Sequence, residues 1–223
     1  MTTPLLLTPP LASRFVERWL AADPKRADLL EQLCEHRLSA LDFSHWLRLL
    51  QADAPTLPSA MRRLRNLLVS AIAMRDLSGQ ADLSEVVAAI SHFADFAVRT
   101  HLDALYAAMT DTHGVPTGEE SGQPQQMIVV GMGKLGGGEL NVSSDIDLIF
   151  LYPEGGETVT QRDDQRALSN HEFFTRLGRK LIADIAEITA DGFTFRVDMA
   201  LRPNGASGPL AASFAMLEDY LLV

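Results

Sequence analysis

One cysteine, Cys34, stands alone among 223 residues, so no intrachain disulfide is available to this chain. It lies among helix-forming residues with no histidine or second cysteine at ligand spacing. It therefore reads as a small buried apolar side chain in a reducing compartment. Long apolar runs are also missing. No stretch approaches the roughly 20 residues that span a bilayer, and no membrane role is expected. The opening MTTPLLLTPP has no basic segment and only Leu5 to Leu7 as an apolar run. No secretory signal is expected from it, and the cytoplasm is the expected location. Basic residues are scarce: 19 Lys and Arg stand against 29 Asp and Glu, a formal net charge of −10. Such a balance repels phosphate backbones and argues against nucleic acid as a partner, while leaving room for a local basic nucleotide site. What remains, 47% hydrophobic and 22% charged residues, suits a folded protein with one large core or two smaller ones.

From about residue 11 to 110 the apolar residues recur at helical spacing. Asp82 and Glu85 stand three apart like a capping box. After them Leu83, Val86, Val87, Ile90, Phe93, Ala94, Ala97, Val98, Leu102 and Leu105 continue one apolar face, which predicts a long bundle-packed helix. Pro24, Pro55 and Pro58 punctuate earlier helices near 11 to 22, 25 to 39, 42 to 52 and 58 to 77. The Gly- and Pro-containing stretch DTHGVPTGEESGQPQQ, 111 to 126, reads as a surface linker.

The pattern then changes. MIVV (127 to 130), DIDLIFLY (145 to 152) and FTFRVDMALR (193 to 202) read as strands. Between the last two, Ser169 and Glu172 open a helix that carries Phe173, Leu177, Leu181 and Ile185 on one stripe and stops at Asp191-Gly192. The expected fold class is α+β: a helical N-terminal region with its linker over 1–125, then a domain with a small mixed sheet over 126–223.

Five of the fifteen glycines fall in GMGKLGGG, 131 to 138, directly after a strand. Glycine lets backbone amides approach a ligand closely, so this turn suits a phosphate, to which Lys134 adds a charge. GMGKLG matches the dinucleotide fingerprint G-x-G-x-x-G. Only six residues separate Gly138 from Asp145, too few for the helix and returning strand of a Rossmann unit. No Gly-Lys-Ser/Thr closes the turn, which excludes a classical P-loop.

Ser143-Ser144-Asp145-Ile146-Asp147 follows, running into Leu148 to Leu151. Residues two apart in a strand share a face, so the two carboxylates project together while Ile146 faces the core. Like charges so placed call for a cation, and Mg2+ takes hard oxygen ligands and shares its coordination sphere with phosphates. Asp198 is the candidate third ligand. In its run, Phe193, Phe195 and Val197 share one face and Thr194, Arg196 and Asp198 the other. Three acids from two strands suit two metal ions, which orient and polarise the attacking and leaving oxygens at phosphorus. Arg196 or Arg202 is placed to neutralise developing charge. Read singly, Asp145 is a turn cap, Asp147 an exposed strand residue and Asp198 a surface charge; the neighbouring glycine turn favours a shared site.

GMGKLGGGELNVSSDIDLIF (131 to 150) closely resembles the signature of the bifunctional glutamine synthetase adenylyltransferase/adenylyl-removing enzyme family. FRVDMALRPNGASGPL (195 to 210) resembles its second block, and MRRLRNLLVSAIAMRDLSGQADLSEVVAAIS (61 to 91) its preceding helical segment. The resemblance implies a polymerase-β-like nucleotidyltransferase domain with metals at Asp145, Asp147 and Asp198. Gly133, Lys134, Gly136, Gly137, Ser144 and Arg202 are then expected around an adenine nucleotide. It further implies glutamine synthetase as protein substrate and the PII signal protein as regulator. The Arg-Val-Asp-Met form around Asp198, and a signature only about 130 residues in, resemble the adenylyl-removing copy. There orthophosphate attacks adenylyl-tyrosine and releases ADP. An ATP-dependent adenylyltransferase with the same metals, or a non-catalytic docking fragment, is the alternative. The family continues beyond Val223, so the chain reads as truncated at its C-terminus.

Other features carry blander readings. Arg62, Arg63, Arg65 and Arg75 are expected on the solvated face of a helix. His92 and His101 fall on opposite faces, and Trp19 and Trp46 on apolar stripes. His171 begins the helix after Ser169, and metal-assisted phosphoryl transfer does not require it.

Overall fold

Side-chain caps set most of the helix starts. The computed structural model describes residues 13–222; the opening MTTPLLLTPP and the first two residues of the helix expected near 11 to 22 lie outside them. Ser13 Oγ accepts from Val16 N at the start of α1 (Arg14–Ala22). The next helix, α2 (Arg26–Cys34), is shorter than the expected 25 to 39. It ends early because distant groups take its backbone: Arg75 donates to Cys34 O at 2.8 Å, and Leu38 N donates to Glu85 Oε1 at 2.9 Å. Asp42 caps α3 (Phe43–Gln51). Thr56 caps α4 (Leu57–Leu77), with proline in its first turn where no N–H is missed. Asp82 Oδ1 accepts from Glu85 N at 2.8 Å at the head of α5 (Leu83–His113). The reciprocal half of that capping box does not form, since the Glu85 carboxylate is committed to Leu38 N and to Arg75.

The chain divides into two compact units, one holding residues up to Phe93 with Gly138–Ser143, the other Ala94–Gly137 with Ser144–Val223. In the first, α1, α2 and α3 pack on α4. Ala60, Met61, Leu64, Leu68 and Ala71 of α4 are buried. Phe43 meets Phe93 edge to face at 5.4 Å, a favoured aromatic geometry. Leu140 returns to this unit with its N–H on Ser91 Oγ at 3.1 Å. Cys34 is buried as expected, and burial pushes its thiol up to about 11, which leaves it protonated. Two of the arginines assigned to a solvated face are not there. Arg62 is buried, and Arg75 lies against Glu85 at 3.1 Å. Trp46 is core, whereas Trp19 is half-buried under the Arg26 guanidinium, 5.1 Å from its ring centre.

The second unit contains the sheets. After α5, the segment read as linker carries β1 (Val115–Gly118), and further on come β2 (Ile128–Met132), the single helical turn α6 (Gly133–Gly136), β3 (Ile146–Tyr152) and β4 (Gly156–Val159). The chain continues through α7 (Asn170–Ala186), β5 (Val197–Asp198), β6 (Ala211–Ser213) and α8 (Phe214–Leu221). Antiparallel β1 and β4 form a two-stranded sheet. The other sheet is mixed: β3 pairs with β2 antiparallel and with β5 and β6 parallel. The α+β class follows directly.

Ser169 Oγ caps α7, whose Phe173, Leu177, Leu181 and Ile185 are all fully buried. The helix ends at Ala186 rather than at Asp191-Gly192, because Thr189 and Gly192 exchange backbone hydrogen bonds of 2.9 Å and close a turn. The strand expected over 193 to 202 shrinks to Val197–Asp198. Thr194 N and Phe195 N donate to Ile185 O at 3.0 and 3.2 Å, satisfying the C-terminal end of α7 instead of a strand ladder. His101 is fully buried with Nδ1 3.7 Å from Asp184 Oδ2, and His92 binds Ser39 O at 3.1 Å, so the two serve separate contacts. No helix among the described residues is long and apolar enough to cross a membrane.

Gly178 on α7 faces Phe150 of β3 so closely that an added Cβ would lie 2.7 Å from the ring. Helix propensity alone favours alanine there by about 1 kcal/mol. Overpacking is expected to win, and Gly178→Ala should lower stability by about 1–3 kcal/mol in urea denaturation. A stabilised variant would contradict this packing.

Candidate active site

Strand β3 fixes which way its acids face. Ile146, Leu148 and Phe150 are buried on one side, so Asp147 takes the other, half-buried, with Asp145 exposed just before the strand. The parallel register sets Asp147 opposite Asp198 and Ile146 opposite Val197. One further ladder bond, Ile146 N to Arg196 O at 2.9 Å, extends the pairing to the residue beside Asp145. Asp198 is locally held too: its Oδ1 accepts from Ala200 N at 2.7 Å, a short Asx-type turn that ends β5.

The glycine turn arrives from the other side. Met132 is the antiparallel partner of Asp147, so β2 delivers the turn directly to that carboxylate. Gly133 has φ +54°, and a Cβ there would sit 2.6 Å from Asp147 Oδ2. Only glycine suits both the left-handed backbone and the space. Gly136 is equally tight, since its Cβ would meet Gly131 O at 2.7 Å. Gly137 N closes the turn on Gly133 O at 3.1 Å. Lys134 is exposed on α6. Because α6 is a single turn, the close backbone approach rather than a long helix axis is what this segment offers.

Ser144 Oγ is buried without a hydrogen-bond partner. Arg196 Nε donates to Asp145 Oδ1 in a direct ion pair. Arg202 turns back on its own loop, with a guanidinium N–H on Met199 O at 2.7 Å and its Nε buried and unpartnered. Asp147 and Asp198 are thus strand neighbours, while the Asp145 carboxylate is drawn to Arg196. Among the described residues no three carboxylate, histidine or cysteine groups converge as a ready metal cage. The donors nevertheless suit a hard divalent cation: carboxylate oxygens from two adjacent strands, with an open glycine backbone beside them.

Sequence reasoning placed Arg196 on the same face as Asp198 but did not see it engage Asp145. The signal was present in the alternation of Arg196 with Asp198, opposite that of Asp145 with Asp147. His171, read as dispensable, lies away from the acids with Nδ1 3.3 Å from the hydroxyl of Tyr152, at the far end of β3.

Sequence comparison gives the class as a family described by adenylyl transfer. Residues 10–222 match the family described as glutamate-ammonia ligase adenylyltransferase, and the chain belongs to that family. It is similar to proteins named bifunctional glutamine synthetase adenylyltransferase/adenylyl-removing enzyme. The one from Chromobacterium violaceum is 55% identical over 214 residues, covering 94% of this chain and 23% of that relative. The one from Nitrosomonas europaea is 49% identical over 215 residues with the same coverage. The one from Ralstonia nicotianae is 56% identical over 167 residues, 75% of this chain and 17% of that relative. The chain therefore spans about a quarter of the length of the first two.

Gly133→Ala should separate site geometry from folding. The left-handed φ costs about 1–2 kcal/mol, and the new methyl displaces the Asp147 carboxylate. In the intact protein, the adenylyl transfer that the family description names is the readout, expected to fall at least about tenfold with the circular dichroism of the fold retained. Full activity would show that Asp147 need not sit against the turn.

Proposed function

We propose that this chain is the part of the enzyme that removes AMP from adenylylated glutamine synthetase by phosphorolysis. The observation that carries this is the register of Asp147 with Asp198 beside Gly133, a carboxylate pair next to an open backbone. The Arg196-Val197-Asp198-Met199 form supports removal over attachment, by its resemblance to the adenylyl-removing copy.

In this reading Asp145, Asp147 and Asp198 hold Mg2+, expected as two ions. When bound, Mg2+ supplies charge neutralisation at phosphorus and polarises the oxygens in flight. The protein's own groups position the reactants. The Gly133 to Gly137 backbone and Lys134 take phosphate oxygens, Ser144 Oγ offers an unused hydroxyl, and Arg196 neutralises charge at the transferring group. An orthophosphate oxygen forms a bond to the adenylyl phosphorus as the bond from phosphorus to the tyrosine oxygen breaks. The orthophosphate proton goes to that oxygen, leaving ADP and free tyrosine. Glutamine synthetase is the proposed protein substrate, a PII-type signal protein the proposed regulator, and the cytoplasm the proposed location.

The relatives' names carry both activities, so the assay must read both directions. In the intact protein, ADP release from AMP-modified glutamine synthetase with Mg2+ and phosphate should fall by about a thousandfold or more in Asp145→Asn and Asp147→Asn. ATP-dependent attachment by the rest of the enzyme should persist. If attachment is lost and removal persists, the assignment of direction is wrong.

A further inference from the structure

We propose that Arg196 is an exchangeable counter-ion: it occupies Asp145 while no metal is bound, and turns to the phosphate oxygens of the substrate when metal takes that carboxylate. This rests on Asp145 being a metal ligand, as proposed above. It adds that metal and anion binding are coupled through one side chain.

Arg196 Nε donates directly to Asp145 Oδ1, so the arginine and a metal compete for the same oxygen. The two side chains are 61% and 46% exposed, respectively. An exposed pair of this kind biases an equilibrium by only about two- to fivefold, weak enough for a divalent ion to displace. The backbone of Arg196 need not move, because its carbonyl is fixed by Ile146 N at 2.9 Å.

Arg202, the other arginine of the segment, is unsuited to this role. Its guanidinium is committed to Met199 O, and its Nε is buried. The guanidinium fork of Arg196 has the geometry to bind phosphate oxygens two at a time once released. Before release it is turned toward a carboxylate, and Asp145 itself repels an anion.

Two binding equilibria sharing one group are reciprocally linked. Metal should raise the affinity for phosphate, and phosphate should raise the affinity for metal by the same factor. Phosphate would then be poorly held at this site until the metal is in place.

The test is Mn2+ titration followed by electron paramagnetic resonance, with and without inorganic orthophosphate, on the intact protein. The part of the Mn2+ binding lost in Asp147→Asn defines the site. In Arg196→Ala, Mn2+ alone should bind there about two- to fivefold tighter than in the wild type. The tightening that orthophosphate produces, expected at about fivefold or more in the wild type, should largely disappear. Arg196→Lys keeps the charge without the fork and should restore only part of the phosphate effect. Its surface position also guards against a folding artefact. Unchanged Mn2+ affinity and an unchanged phosphate response in Arg196→Ala would overturn the exchange. If Asp147→Asn removes no Mn2+ binding, the metal-site reading itself fails, whatever Arg196 does.

Discussion

Two carboxylates held side by side on neighbouring strands repel each other, and the second unit is organised around tolerating that repulsion. Unit charges about 5 Å apart repel by about 1 kcal/mol in water. The charges themselves disfavour the register that pairs Asp147 with Asp198; a shift by one residue would carry Asp198 to the opposite face. The core fixes the register nonetheless. Ile146, Leu148 and Phe150 are buried on one side of β3, which forces Asp147 out on the other. The unfavourable placement is thus sustained by apolar burial, as expected where a site is preserved for binding rather than for stability.

The neighbouring segments follow from the same constraint. A side chain at position 133 would press on Asp147 Oδ2, which explains a left-handed glycine where β2 ends. Arg196 lies one residue from the strand pair and takes up Asp145, so one of the three negative charges is balanced within the protein. The Asx turn on Asp198 ends β5 and fixes the direction in which the chain leaves the sheet.

Much of this was legible in the sequence, and the parts that were not share a cause. Helix α7 and its core stripe could be read because Ser169 caps it and Phe173, Leu177, Leu181 and Ile185 are spaced within one element. The outward direction of Asp147 was legible for the same local reason, since Ile146 and Leu148 alternate with it and are buried, whereas Asp145 lies just before the strand and is drawn to Arg196. Features set by distant partners were not. Val115–Gly118 contains proline and glycine and reads as linker; it becomes a strand only because Gly156–Val159 lies against it. Residues 193 to 196 have strand-like alternation, but the open carbonyl of Ile185 takes two of their N–H groups. Arg75 looked solvent-facing because Glu85 and Cys34 O, which bury it, come from other helices.

As proposed above, Asp147 and Asp198 jointly hold a divalent cation beside the glycine turn. Anomalous diffraction from crystals of the intact protein grown with Mn2+ and AMP tests it most directly. A manganese peak between these two carboxylates, with Asp145 rotated off Arg196 toward it, is the predicted result. Ordered AMP with no peak at this position, and Asp145 still paired with Arg196, would contradict it.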